Sequence, residues 1–162
     1  MPGSRCLAGR EVVLSFHVNI VQEALRNTAF RRVLHTTPLS QLVVMCVEVG
    51  DDIGLESHEL DQVLVIVEGE ARYHVGEHHG VLSAGDVLVV PARAMHNVIN
   101  SGERSLKLYT LYTPPEHAPG TVHKTRDEAI AAEADHHRGV QASGSGSSSR
   151  VTVGSLLGLP QS

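Results

Sequence analysis

The chain has no tryptophan, and only three tyrosines and two phenylalanines among its 162 residues. So thin an aromatic complement offers no ladder of rings for nucleobases to stack on, and its lysines and arginines form no cluster. The formal charge is −5 and the isoelectric point lies near 6.1. Neither nucleic acid nor an anionic membrane is therefore an expected partner. Cysteine is scarce too. Cys6 and Cys46 give no disulfide framework, which fits a reducing compartment. No apolar run approaches the roughly 20 residues that cross a bilayer. Val12 to Phe16 is too short for an export signal and runs into His17 and Asn19. A cytoplasmic protein with one domain is expected.

What the sequence does contain is strand-forming. Leu42 to Val49 is apolar except at Glu48, and Val63 to Val67 and Val87 to Val90 are unbroken. A strand with one face in water alternates, so these runs predict strands covered on both faces. In a small barrel one face fills the interior, and a partner subunit is the simplest cover for the other. Phe30 to His35 is a further strand candidate, followed by a turn around Pro38. Leu106 to Tyr112 alternates, with Leu106, Leu108 and Thr110 on one face, until Thr113-Pro114-Pro115 stops it. Glu11 to His17 reads as a short strand, and Asn19 to Asn27 as a loop or one helical turn with Val21, Ala24 and Leu25 on one side. Thr125 to Glu128 is a capping box opening a helix that Gly139 should end.

Two patterns in series carry the chemistry. The first runs Gly50, Glu56-Ser57-His58, Gln62, Gly69; the second runs Gly85, Pro91, Arg93, His96, Asn100. Side chains two apart on a strand share a face, so Glu56 and His58 can point the same way. Gln62 keeps that parity if the strand continues, and His96 can close the pocket from a later strand. Carboxylate, amide oxygen and two imidazoles suit one divalent ion of iron, zinc, nickel or manganese better than calcium. Gly50, Gly69 and Gly85 sit between apolar runs, where turns need a positive φ. Of the eleven histidines, His74, His78 and His79 fall around a hairpin tip and His136-His137 near a helix end, where surface roles suffice. Tyr73, Arg93, Asn100 and Tyr109 are candidates for the pocket mouth.

These paired patterns resemble those of the cupin superfamily, whose fold is a double-stranded β-helix (jelly-roll) barrel. The resemblance extends from about Asn19 to Glu133, through "DQVLVIVEGE", "HNVIN" and "LKLYTLYTPPEHAPGTVHKT". It implies an all-β barrel with a short C-terminal helix, a metal held by Glu56, His58, Gln62 and His96, and dimerisation through one barrel sheet. Glu56 stands where most cupins carry a first histidine, Gln62 where they carry glutamate, and Arg93 where a turn glycine is usual. A site with a neutral amide ligand and one fixed negative charge should bind more weakly than a three-histidine site.

Residues 1–18 are thus expected to be an N-terminal extension, 19–140 the barrel and closing helix, and 141–162 a flexible linker and tail. The linker "SGSGSSS" is too poor in apolar groups to fold. Beyond it, Val151, Thr152, Val153, Gly154, Ser155 and Leu156 resemble the C-terminal peptides that load enzymes into encapsulin shells. Taken together, the chain reads as a metal-dependent enzyme, an oxygenase or isomerase, acting on a small polar molecule in an encapsulin nanocompartment. The alternative is a non-catalytic module that binds metal or a small ligand. Metal content and turnover separate the two.

Overall fold

The structure, a computed structural model, describes residues 15–143. The candidate peptide from Val151 to Leu156, Cys6 and most of the expected Glu11–His17 strand lie outside them. The part of that segment that is described forms no strand; Phe16 instead stacks on His35, with ring centroids 4.6 Å apart. The chain divides into two units, residues 1–129 and residues 130–162. Among the described residues no helix is long and apolar enough to cross a membrane.

The first unit holds two sheets. Its elements are α1 (Ile20–Arg26), β1 (Arg31–Thr36), β2 (Gln41–Val47), β3 (Asp61–Glu68), β4 (Glu70–Val75), β5 (His78–Ser83), β6 (Val87–Val90), β7 (His96–Asn100), β8 (Leu106–Thr113) and β9 (Val122–His123). A six-stranded sheet runs β6-β3-β8-β2-β1-β9, and a three-stranded one runs β5-β4-β7. All the pairings are antiparallel. Residues 52–56 add to the free edge of β7 through bridges from Asp52 to Ile99 and from Glu56 to His96.

Period-two alternation sets the interior. On β8, Leu106, Leu108, Thr110 and Tyr112 are buried, as the alternation predicts, while on β3 Gln62, Leu64 and Ile66 are. These meet Met45, Ala71, Val98 and Leu82 in one core. Gly50, Gly69 and Gly85 all have positive φ, as their positions between the runs require. At Gly69 space matters as well, because a Cβ there would stand 3.2 Å from the Leu106 backbone. β8 ends at Thr113, where the prolines withdraw their donors.

Other expectations need correction. The segment after Asn19, expected as a loop or one helical turn, is a seven-residue helix, capped by the Asn19 side chain, which accepts from the Gln22 N–H at 3.1 Å. Of the three residues expected on one side only Ala24 is buried, against the sheet, whereas Val21 and Leu25 are exposed. The β6 run is not covered on both faces either. Val87 and Val89 are 59% and 58% exposed because β6 lies at the sheet edge. The second helix, α2 (Arg126–Ser143), opens as expected, with Thr125 Oγ1 accepting from the Glu128 N–H at 3.2 Å. It runs through Gly139 instead of ending there; a mid-helix glycine costs only about 1 kcal/mol relative to alanine.

Candidate metal centre

His96 opens β7, and the turn before it is tied to the loop that carries Glu56 and His58. Glu56 and His96 exchange two backbone hydrogen bonds, Glu56 N–H to His96 O at 3.0 Å and His96 N–H to Glu56 O at 2.9 Å. The Arg93 N–H donates to the His58 carbonyl at 2.6 Å, and the Ala92 N–H donates to Asp61 Oδ1 at 2.9 Å. Arg93 has φ +68°, so a non-glycine residue holds the left-handed geometry expected of a glycine. Its side chain does not line the mouth but pairs in solvent with Glu59.

The four residues do lie together, but not through the strand parity expected. Glu56 and His58 do not continue into β3, which begins at Asp61. Glu56 lies on the free edge of β7 and His58 in the loop beyond, while Gln62 comes from the inner face of β3.

All four side chains converge. Gln62 Oε1 lies 3.0 Å from His96 Nε2, and Glu56 Oε1 lies 3.7 Å from the same nitrogen. His58 Nε2 stands 3.2 Å from Glu56 Oε1. With metal–donor bonds of roughly 2.1 Å, neighbouring donors on one ion stand about 3.0–3.4 Å apart. His58 Nε2 is also buried, facing the Glu56 carboxylate. Both ring nitrogens of His96 face oxygens, Nδ1 that of Ala94 at 3.0 Å and Nε2 that of Gln62. A neutral imidazole has one N–H, so the ring can donate only one of these two contacts. With Nδ1–H donated to Ala94, Nε2 turns its lone pair toward the other donors. Glu56, His58 and His96 can therefore hold a metal ion.

A second carboxylate reaches the site, and the sequence reading missed it. Glu116 Oε1 lies 3.2 Å from His58 Nδ1. Burial alone would lower the pKa of His58, but its hydrogen bonds to Glu116 and then Glu56 outweigh this and raise it to about 9. The same contact holds Glu116 below the usual carboxylate range. Next to it, burial and then the nearby Arg31 charge push His117 down to about 3, so this imidazole is neutral. The only trace of Glu116 in the sequence is its place after the strand-ending prolines.

Three residues proposed for the mouth serve elsewhere. Asn100 is buried, donating to the carbonyls of Val47 and Arg104, both at 2.9 Å, and accepting from the Gly102 N–H. Its amide replaces missing backbone partners. Tyr73 packs on the core, and Tyr109 points to the face opposite Leu108 and Thr110. His74, His78 and His79 are exposed on the β4–β5 hairpin, as expected.

The raised His58 pKa sets a pH dependence. Its folded value of about 9 exceeds the ordinary 6.5, so its contribution is complete below 6.5 and is lost as pH rises through 9. Metal-stripped protein should thus be less stable to urea at pH 9 than at pH 6.5, by about 1–3 kcal/mol. His58→Gln should flatten this slope; an unchanged slope would refute the assignment.

A family model described as "Cupin domain" matches residues 43–112, which include all four converging residues. The chain is 42% identical over 125 residues to the uncharacterized protein YrkC of Bacillus subtilis, spanning 73% of this chain and 67% of YrkC. It is 38% identical over 117 residues to the uncharacterized protein L612 of Acanthamoeba polyphaga mimivirus, spanning 69% of this chain and 73% of L612. Among solved structures, BH2720 of Bacillus halodurans superposes with a TM-score of 0.71 at 43% identity, covering 72% of this chain and 93% of BH2720. With the two antiparallel sheets and the donor cluster inside them, these similarities show that the chain belongs to the cupin family.

Proposed function

We propose that this cupin binds one divalent ion of iron, manganese, nickel or zinc through Glu56, His58, Gln62 and His96, and uses it in an oxygenase or isomerase reaction on a small polar molecule. The observation that carries this reading is that Glu56, His58 and His96 offer ligand atoms all within 4.8 Å of one another, with Gln62 Oε1 3.0 Å from His96 Nε2. Such an ion supplies Lewis acidity and, if it is iron, redox chemistry toward dioxygen. The protein's part is to hold the donors and keep their surroundings dry. Gln62 is oriented by its amide, which donates to Thr110 Oγ1 at 3.2 Å, and His96 by the Ala94 carbonyl.

Purified protein loaded with metal should carry close to one ion per chain by elemental analysis. His58→Ala and His96→Ala should each lose most of it. Gln62→Ala should weaken binding less, since an amide is a weak neutral ligand. Normal binding by both histidine variants would refute the site. Oxygen uptake or substrate turnover that follows metal content supports the enzyme; full loading with no turnover on any candidate supports the non-catalytic module.

We propose further that the protein is a homodimer. Across the outer face of the large sheet, Val89, Val63 and Leu111 lie in one register row, and Val87, Val65 and Tyr109 in the next. A two-fold axis would place this apolar face against itself in a second copy. Light scattering should give a dimer that Val89→Asp converts to monomer. A wild-type monomer at micromolar concentration would sink this.

The tail supports a third proposal, of a cytoplasmic protein packaged inside an encapsulin shell, with Val153 and Leu156 as anchors of a docking peptide. The support is the "TVGSL" core behind a glycine–serine linker. Deleting residues 150–162 should leave metal content unchanged and abolish co-purification with a co-expressed shell. Equal loading of the truncated chain would count against it.

A further inference from the structure

The segment between β8 and β9 forms a strap pinned at its centre. Gln41, itself buried, donates from Nε2 to the His117 carbonyl at 2.7 Å and accepts from the His117 N–H at 2.9 Å. The same Nε2 donates to Thr36 Oγ1 at 2.9 Å. Further on, the Val33 N–H donates to the Thr121 carbonyl at 2.9 Å, joining the strap to β1. Tyr112 stands edge-on between His58 and His117, at centroid distances of 5.9 Å and 5.2 Å. Backbone, amide clasp and ring thus fix where Glu116 stands.

Glu116 meets His58 from the side of the ring away from Glu56. Its Oε1 faces Nδ1, whereas Glu56 Oε1 faces Nε2. From there Glu116 cannot also coordinate an ion at Nε2, but it can take the Nδ1 proton and lock the ring's orientation. We infer that Glu116 is a positioning residue: its carboxylate holds the Nδ1–H of His58 and so aims the Nε2 lone pair at the metal position. This rests on the metal reading proposed above. A carboxylate behind a metal-bound imidazole fixes its tautomer and raises its basicity, and removing such a partner weakens metal binding about 10–100-fold.

Cobalt(II) titration of the chelator-stripped full chain tests this, using wild type, Glu116→Gln, Glu116→Asp and Glu59→Gln. Glu59 offers the control because it removes the same charge from the ligand loop while its side chain is 81% exposed. The expected result is one cobalt per chain throughout, with Glu116→Gln weaker by about 10–100-fold. Glu116→Asp should recover part of the loss, and Glu59→Gln should match wild type. The visible cobalt spectrum should shift in Glu116→Gln, and the stripped variant, though it melts lower for want of the Glu116–His58 ion pair, should remain folded at the temperature of the titration. The inference is overturned if Glu116→Gln binds as tightly as wild type, or if Glu59→Gln weakens binding as much. If wild type binds no cobalt, the metal reading itself fails, and the inference with it.

Discussion

The site depends on a pair of backbone hydrogen bonds between Glu56 and His96, reinforced by the one from Arg93 to His58. Gln62 belongs to the large sheet and His96 to the small one, and nothing local to either sheet would aim them at each other. The loop from Glu56 to Leu60 joins the two. It pairs with the edge of β7 at one end and enters β3 at the other, so its two donors are delivered between the sheets. The cost is borne at Arg93, where a left-handed non-glycine conformation is disfavoured by roughly 1–2 kcal/mol. That cost is tolerable only because the surrounding contacts over-determine the turn.

The interior is apolar over most of its extent and polar toward the candidate metal site. Leu64, Ile66, Leu106 and Leu108 fill the apolar part, and Gln62, Thr110, His96 and Tyr112 the polar one. Buried polar groups are expensive unless bonded. Most of these are: Gln62 bonds Thr110 and His96, and Gln41 bonds the strap. His58 faces a carboxylate at each ring nitrogen, Glu56 at Nε2 and Glu116 at Nδ1. With Gln62 and His96 beside it, this makes a donor-rich cluster that could hold a cation.

Alternation and turn chemistry are local, and they were legible in the sequence. Leu106 to Tyr112, the positive-φ glycines and the Thr125 cap follow from residue type and spacing alone. The four converging residues were legible through motif spacing, although the strand parity invoked for them was wrong: residues 56–60 are not part of β3. Glu116 was not legible, because its position depends on a strap after two prolines that has no periodicity. The strap's register is set at His117 by Gln41, 76 residues earlier in sequence. Asn100 failed differently. Its side chain is polar and its strand position faces inward, as a pocket residue's would, but it is used up in capping backbone at the opposite end of β7.

The origin of the donors in separate sheets has a mechanical consequence. An ion held there would act as a cross-link, joining the large sheet through Gln62 to the small sheet through His96 and to the connecting loop through Glu56 and His58. Releasing it would require the sheets to part at that end, and parting the sheets would require losing it. Metal exchange and local opening of the barrel would then be one event with one rate, and each occupied site would resist unfolding by RT ln(1 + [M]/Kd).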